Sequence, residues 1–130
     1  MNQIESILLI DDNDADNFIH QLAIEDAGCC KHVDVATSGQ AALNYLLDDS
    51  NPHPDLIFLD INMPGMTGWE FLDKYEAQQK ADHRHVIVML TTSLNPAEEA
   101  RAEQHRTIRK LYSKPLTSDI VREAVRLLAN

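Results

Sequence analysis

Residues 7–16 read ILLIDDNDAD: four branched aliphatics, then four carboxylates within six residues. An unbroken aliphatic run reads as a strand covered on both faces, as in a parallel sheet. Such a strand ending in Asp11 and Asp12 carries its charge to the lip of the sheet. A calcium loop is one reason to do so, because Asp12, Asp14 and Asp16 alternate as its first, third and fifth ligands. The rest of that loop fails, since its sixth position would be Asn17 rather than Gly and its twelfth Ala23 rather than Glu. Capping of a following helix by Asn13 or Asp14 accounts for the later members of the cluster. It leaves Asp11 and Asp12 unexplained.

Working outward, four more short apolar runs follow, at residues 33–36, 56–59, 86–90 and, more weakly, 108–112. Between these strands lie segments with helical spacing. The first carries Phe18, Ile19, Leu22 and Ala23 and stops near Gly28, a natural helix terminator. The second, after Ser38, sets Ala42, Leu43, Leu46 and Leu47 on one side and ends at Asn51-Pro52-His53-Pro54. The third holds Trp69, Phe71, Leu72 and Tyr75, with Trp69 in the core or lining a groove. The fourth, after Asn95-Pro96, offers only Ala97, Ala100 and Ala102 for burial, which makes it the best candidate for a mobile element. The fifth, after Thr117-Ser118, shows the stripe Ile120, Val121, Ala124, Val125 and Leu128.

Strands alternating with helices imply parallel pairing, right-handed crossovers and helices on both faces of the sheet. Five such units point to a doubly wound, flavodoxin-like sheet in the order 2-1-3-4-5. Its ligand site lies beyond the carboxyl ends of the strands, where strand order reverses. Asp11 and Asp12, after the first strand, then share a cleft with Asp60, which ends the run DLIFLD of the third.

Three converging carboxylates are costly, because two unit charges about 4 Å apart repel by about 4 kcal/mol at an effective dielectric near 20. A divalent cation offsets that, and an oxygen-only set favours Mg²⁺, with Mn²⁺ the other fitting ion. Asn62 sits where the turn can present a backbone carbonyl to it. The fourth strand ends in Leu90-Thr91-Thr92-Ser93 and brings a hydroxyl to the same rim; the fifth ends in Ser113-Lys114-Pro115 and brings an ammonium. Metal, hydroxyl and ammonium suit a phosphoryl group, whose transfer depends on positioning and charge neutralisation.

Asp-Asp after strand one, LDINMPGMTG after strand three, Thr after strand four and Lys-Pro after strand five together resemble the receiver domain of two-component response regulators, over essentially the whole chain. The resemblance implies that Asp60 is the phospho-acceptor, that Asp12 binds the metal directly and Asp11 mainly through water, and that Thr91 and Lys114 bind phosphoryl oxygens. It also implies a cis peptide before Pro115. The phosphodonor would be a sensor histidine kinase or a histidine phosphotransfer protein. More loosely, the chain is similar to the small single-domain receivers that accompany phytochrome-type kinases. Two features depart from the family. Leu111 stands where members usually carry an aromatic three residues before the lysine, and Tyr112, next along the strand, points to the other face. His105-Arg106-Thr107 replaces the usual Gly-rich turn before the fifth strand. The rival reading is a phosphatase of the haloacid dehalogenase type, with Asp12-Asn13-Asp14 serving as its D-x-D motif.

Composition bounds the remaining possibilities. A chain of 130 residues, 44% hydrophobic, fits one domain over residues 1–130. The formal net charge of −10 opposes binding to nucleic acid or anionic lipid. No apolar run is long enough to span a bilayer and the start carries no basic signal region, so the expectation is a cytoplasmic protein, monomeric or weakly dimeric, acting as a switch rather than a metabolic enzyme. Its downstream protein is not legible. Adjacent Cys29 and Cys30 make a poor disulfide and read as small residues leading into a strand. The six histidines are scattered, with His83 and His85 placed in a solvated loop.

Overall fold

The computed structural model describes residues 3–78, 86–105 and 107–128; the His83/His85 loop lies outside them. Five strands, β1 (Ile4–Ile10), β2 (Cys30–Ala36), β3 (Leu56–Asp60), β4 (Val86–Thr91) and β5 (Ile108–Ser113), alternate with five helices. These are α1 (Asp14–Ala27), α2 (Gly39–Leu47), α3 (Gly68–Glu76), α4 (Pro96–Glu103) and α5 (Ser118–Leu127). The sheet is parallel in the order β2-β1-β3-β4-β5, as the pattern predicts.

Pleating splits the core in two, because alternate residues of a strand face opposite sides. Leu8, Ile10, Ile57, Leu59, Ile87 and Met89 face α2, α3 and α4, whereas Ile7, Leu9, Leu56, Phe58, Val88 and Leu90 face α1 and α5. Both faces of β1, β3 and β4 are covered, hence their unbroken aliphatic sequences.

Helix ends follow their capping residues. Ser38, Asn95 and Thr117 each accept a backbone N–H from the first turn, and Thr67 with Glu70 forms a reciprocal capping box. Gly28, at φ 68°, closes α1 in the left-handed conformation that suits glycine. Helix α2 stops at Leu47, ahead of Asn51-Pro52, because Asp48 turns its carboxylate to the N–H and hydroxyl of Ser50.

The helices bury themselves very unequally. Helix α3 commits Trp69, Phe71, Leu72 and Tyr75 to the core, each worth about 1.5–3 kcal/mol by burial, while α4 buries Ala102 alone. That matches the expectation that α4 has little to bury. Helix α1 departs from its sequence pattern. Its buried face is Asn17, His20, Ile24 and Ala27, while Phe18, Ile19 and Leu22 are 64%, 47% and 49% exposed. Two polar residues face inward there because that side of the helix borders the acidic end of the sheet.

Candidate functional site

Register alone assembles the site. Ile10 lies beside Leu59, so the next residues, Asp11 and Asp60, emerge as neighbours at the carboxyl edge. On the other side Asp60 lies beside Leu90 and Thr91 beside Ser113, which puts Thr91 next to Asp60 and Lys114 just beyond. A bulge at Ile87/Val88 shifts β5 by one residue to reach that register. Gly68 lets α3 start close beneath, since a Cβ there would lie 2.6 Å from the carbonyl oxygen of Asp60.

Asp11, Asp60 and Thr91 are buried, whereas Asp12 and Asn62 are exposed at the rim. Carboxylate oxygens of Asp11, Asp12 and Asp60 lie within 4.8 Å of one another, a group that could hold a cation. Lys114 Nζ sits 2.8 Å from Asp11 Oδ2, 2.9 Å from Asp16 Oδ2 and 3.2 Å from Asp60 Oδ1. The Lys114–Pro115 peptide is cis, as the resemblance implies. The N–H of Asn62 donates to Asp60 Oδ1 at 3.4 Å, and Thr91 Oγ1 accepts from the Ser93 N–H at 3.1 Å.

The electrostatics are unbalanced, because one ammonium serves several carboxylates. Burial, then the charge of Asp11, push the Asp60 carboxyl up to about 6, against the pull of Lys114 and the Asn62 N–H. Burial alone would lower Lys114, but its hydrogen bonds to Asp11 and Asp16 outweigh that and hold it above the ordinary lysine range. The excess negative charge around Asp60 is what a bound cation would neutralise.

Sequence patterns missed three side chains here. Asp16, read as part of a helix start, instead pairs with Lys114 from the first turn of α1, whose cap is Asn13. Asn17 Nδ2 donates to the carbonyl of Asp11 at 2.9 Å and so fixes the acidic turn. His20 is buried behind it, its pKa lowered by burial and by Lys114, with Asp11 and Asp16 opposing. The only available signal was spacing, since residues three or four apart share a helix face. Elsewhere, Cys29 and Cys30 are free thiols, both raised in pKa first by burial.

The departures on β5 also find their places. Leu111 packs toward α2, α3 and α4, while Tyr112 packs on the α1 and α5 side and donates to Glu123 at 2.6 Å. Tyr112 therefore does not stand in for the missing aromatic. In place of the Gly-rich turn, His105 Nδ1 lies 3.1 Å from Glu76 Oε1, and Thr107 donates to Glu76 Oε2 at 2.6 Å.

The sequence profile described as the response regulator receiver domain matches residues 7–126. The chain belongs to that family. Among relatives, Response regulator Rcp1 of Synechocystis sp. is 32% identical over 99 residues, 72% of this chain and 66% of its own length. The solved two-component response regulator from Cytophaga hutchinsonii superposes with a TM-score of 0.92 at 34% identity, covering 99% of both chains. The bacteriophytochrome response regulator AtBRR gives 0.81 at 26% identity, covering 98% of this chain and 94% of that one. This protein is thus a receiver domain with a signalling role, and nothing supports the dehalogenase-type phosphatase. No helix among the described residues is long and apolar enough to cross a membrane.

Proposed function

We propose that this receiver takes a phosphoryl group from a histidine-phosphorylated protein onto Asp60 and signals through its changed surface, acting in the cytoplasm as a monomer or weak dimer. The observation that carries the reading is a buried carboxylate whose pKa is pushed up to about 6, 3.2 Å from Lys114 and crowded by Asp11 and Asp12. A carboxylate oxygen of Asp60 attacks phosphorus, and the N–P bond breaks with its electron pair returning to the donor imidazole. Lys114 and Thr91 receive the phosphoryl oxygens, the first as a charge and the second as a hydroxyl donor. The all-oxygen donor set fits Mg²⁺, or Mn²⁺, held by Asp11, Asp12, Asp60 and the Asn62 carbonyl. When bound, the metal neutralises charge on the transferring group.

The test is incubation with acetyl phosphate and Mg²⁺, followed by mass spectrometry. A phosphoryl group retained on Asp60 supports the reading; steady phosphate release without it, or no reaction, opposes it. Asp12→Ala should weaken Mg²⁺ binding at least tenfold while leaving the metal-free domain as stable or more so, by relief of repulsion. Calorimetric titration showing unchanged Mg²⁺ affinity would move the metal elsewhere.

Decay of the phosphorylated state needs a water in line with the new O–P bond. Thr92 is exposed next to Thr91; in this reading its branched side chain narrows the approach, whereas the Asn62 amide can orient the water. Thr92→Ala should speed dephosphorylation several-fold, about 1 kcal/mol in barrier. Equal or slower decay in the variant would show that Thr92 does not guard the path.

A further inference from the structure

Trp69 is 3% exposed, and its indole N–H finds no hydrogen-bond acceptor among the described residues. Buried donors in native proteins are nearly always paired, so an orphan favours any rearrangement that supplies an acceptor. Trp69 lines a cavity of about 370 Å³ between the carboxyl edge of the sheet and α4, shared with Asn62, Thr67, Thr91, Ser93 and Arg101. The residue with the unmet donor and Thr91 therefore border the same space.

The indole also touches α4 and the turn that follows it. The Arg101 guanidinium lies 4.8 Å from its ring centroid, and the His105 ring stacks on it at 5.7 Å with planes 26° apart. Helix α4 buries only Ala102 and packs mainly against β5, so the contacts with Trp69 are among its few side-chain holds. Leu111 on β5, by contrast, carries no polar handle with which to follow Thr91.

We propose that Trp69 relays the state of the carboxyl-edge site to α4, its indole N–H acquiring the Ser93 hydroxyl as acceptor when Thr91 turns to the phosphoryl group. In the resting structure Thr91 Oγ1 holds the Ser93 N–H at 3.1 Å and so fixes the loop between β4 and α4. A phosphoryl oxygen on Asp60 draws the Thr91 hydroxyl away and frees that N–H. The released loop moves into the cavity, Ser93 reaches the indole, and Arg101 and His105 carry the change to α4. The inference rests on Asp60 accepting the phosphoryl group.

The single tryptophan of the chain makes the relay directly observable. Intact protein is treated with Mg²⁺ and acetyl phosphate, with mass spectrometry reporting phosphoryl gain and fluorescence reporting Trp69. Wild type should gain the group and shift its emission to longer wavelength, while Ser93→Ala gains the group with emission unchanged. In hydrogen exchange, α4 amides should change several-fold on phosphorylation of wild type and not at all in Trp69→Phe. Phosphoryl gain without an emission shift in wild type would overturn the relay, as would an equal shift in Ser93→Ala or an equal α4 response in Trp69→Phe. No phosphoryl gain at all would overturn the Asp60 reading, and the relay with it.

Discussion

Asp60→Asn is expected to abolish phosphoryl incorporation from acetyl phosphate, a loss of about a thousandfold or more, because the amide keeps the carboxylate's shape without its nucleophilic charge. The same substitution should stabilise the metal-free domain at neutral pH. Asp60 titrates at about 6 in the folded protein, above its ordinary value of 3.8, so between those values the folded state holds a proton that the unfolded chain has released. Its contribution to stability is complete below about pH 4 and is lost as the pH rises through about 6. Asparagine has no proton to lose. Thermal melts in the presence of a chelator should therefore show no gain for Asp60→Asn near pH 4 and a gain of about 1–3 kcal/mol above pH 7. A gain independent of pH would mean that burial and the Asp11 charge are not what raise Asp60, and label persisting in the variant would move the acceptor to another residue.

The carboxyl edge was legible in the sequence because strand ends are fixed by short-range patterns. An aliphatic run that stops at a carboxylate marks both the strand and its exit, and five runs in alternation leave few topologies open. Asp11, Asp60, Thr91 and Lys114 needed only that topology to converge. What resisted reading was helix rotation. Apolar periodicity marks α1 as a helix, yet the side turned inward is the one bearing Asn17 and His20, because it abuts a polar edge rather than an aliphatic face. Hydrophobic spacing identifies the core side only when the neighbouring surface is itself apolar, as it is for α3. The Glu76–His105–Thr107 linkage was hidden for a related reason, since hydrogen bonds between residues about thirty apart leave no periodic trace. Tyr112 was legible by contrast, because alternation along a strand is strict.

That rotation of α1 carries a consequence for the phosphodonor. Phe18, Ile19 and Leu22 are an i, i+1, i+4 set on one face of the helix, all about half or more exposed. Single exposed apolar residues need no explanation, but adjoining ones mark contact surfaces. The patch begins two residues after Asp16, whose carboxylate is 2.9 Å from Lys114, and at 1.5 Å rise per residue reaches roughly 9 Å along the helix from it. On the proposed reading, a protein delivering phosphohistidine to Asp60 covers this rim, whereas acetyl phosphate needs only the cleft. Replacing both Phe18 and Leu22 by Asp should therefore lower the rate of phosphotransfer from a histidine-phosphorylated protein about a hundredfold, about 2.7 kcal/mol, as loss of central apolar anchors does. Labelling by acetyl phosphate should stay within about twofold, and the melting temperature should hold, because neither side chain supports the core. The ratio of the two rates is the decisive quantity. A variant slowed equally with both donors would be damaged at the cleft, and one slowed with neither would leave the α1 face without a part in docking.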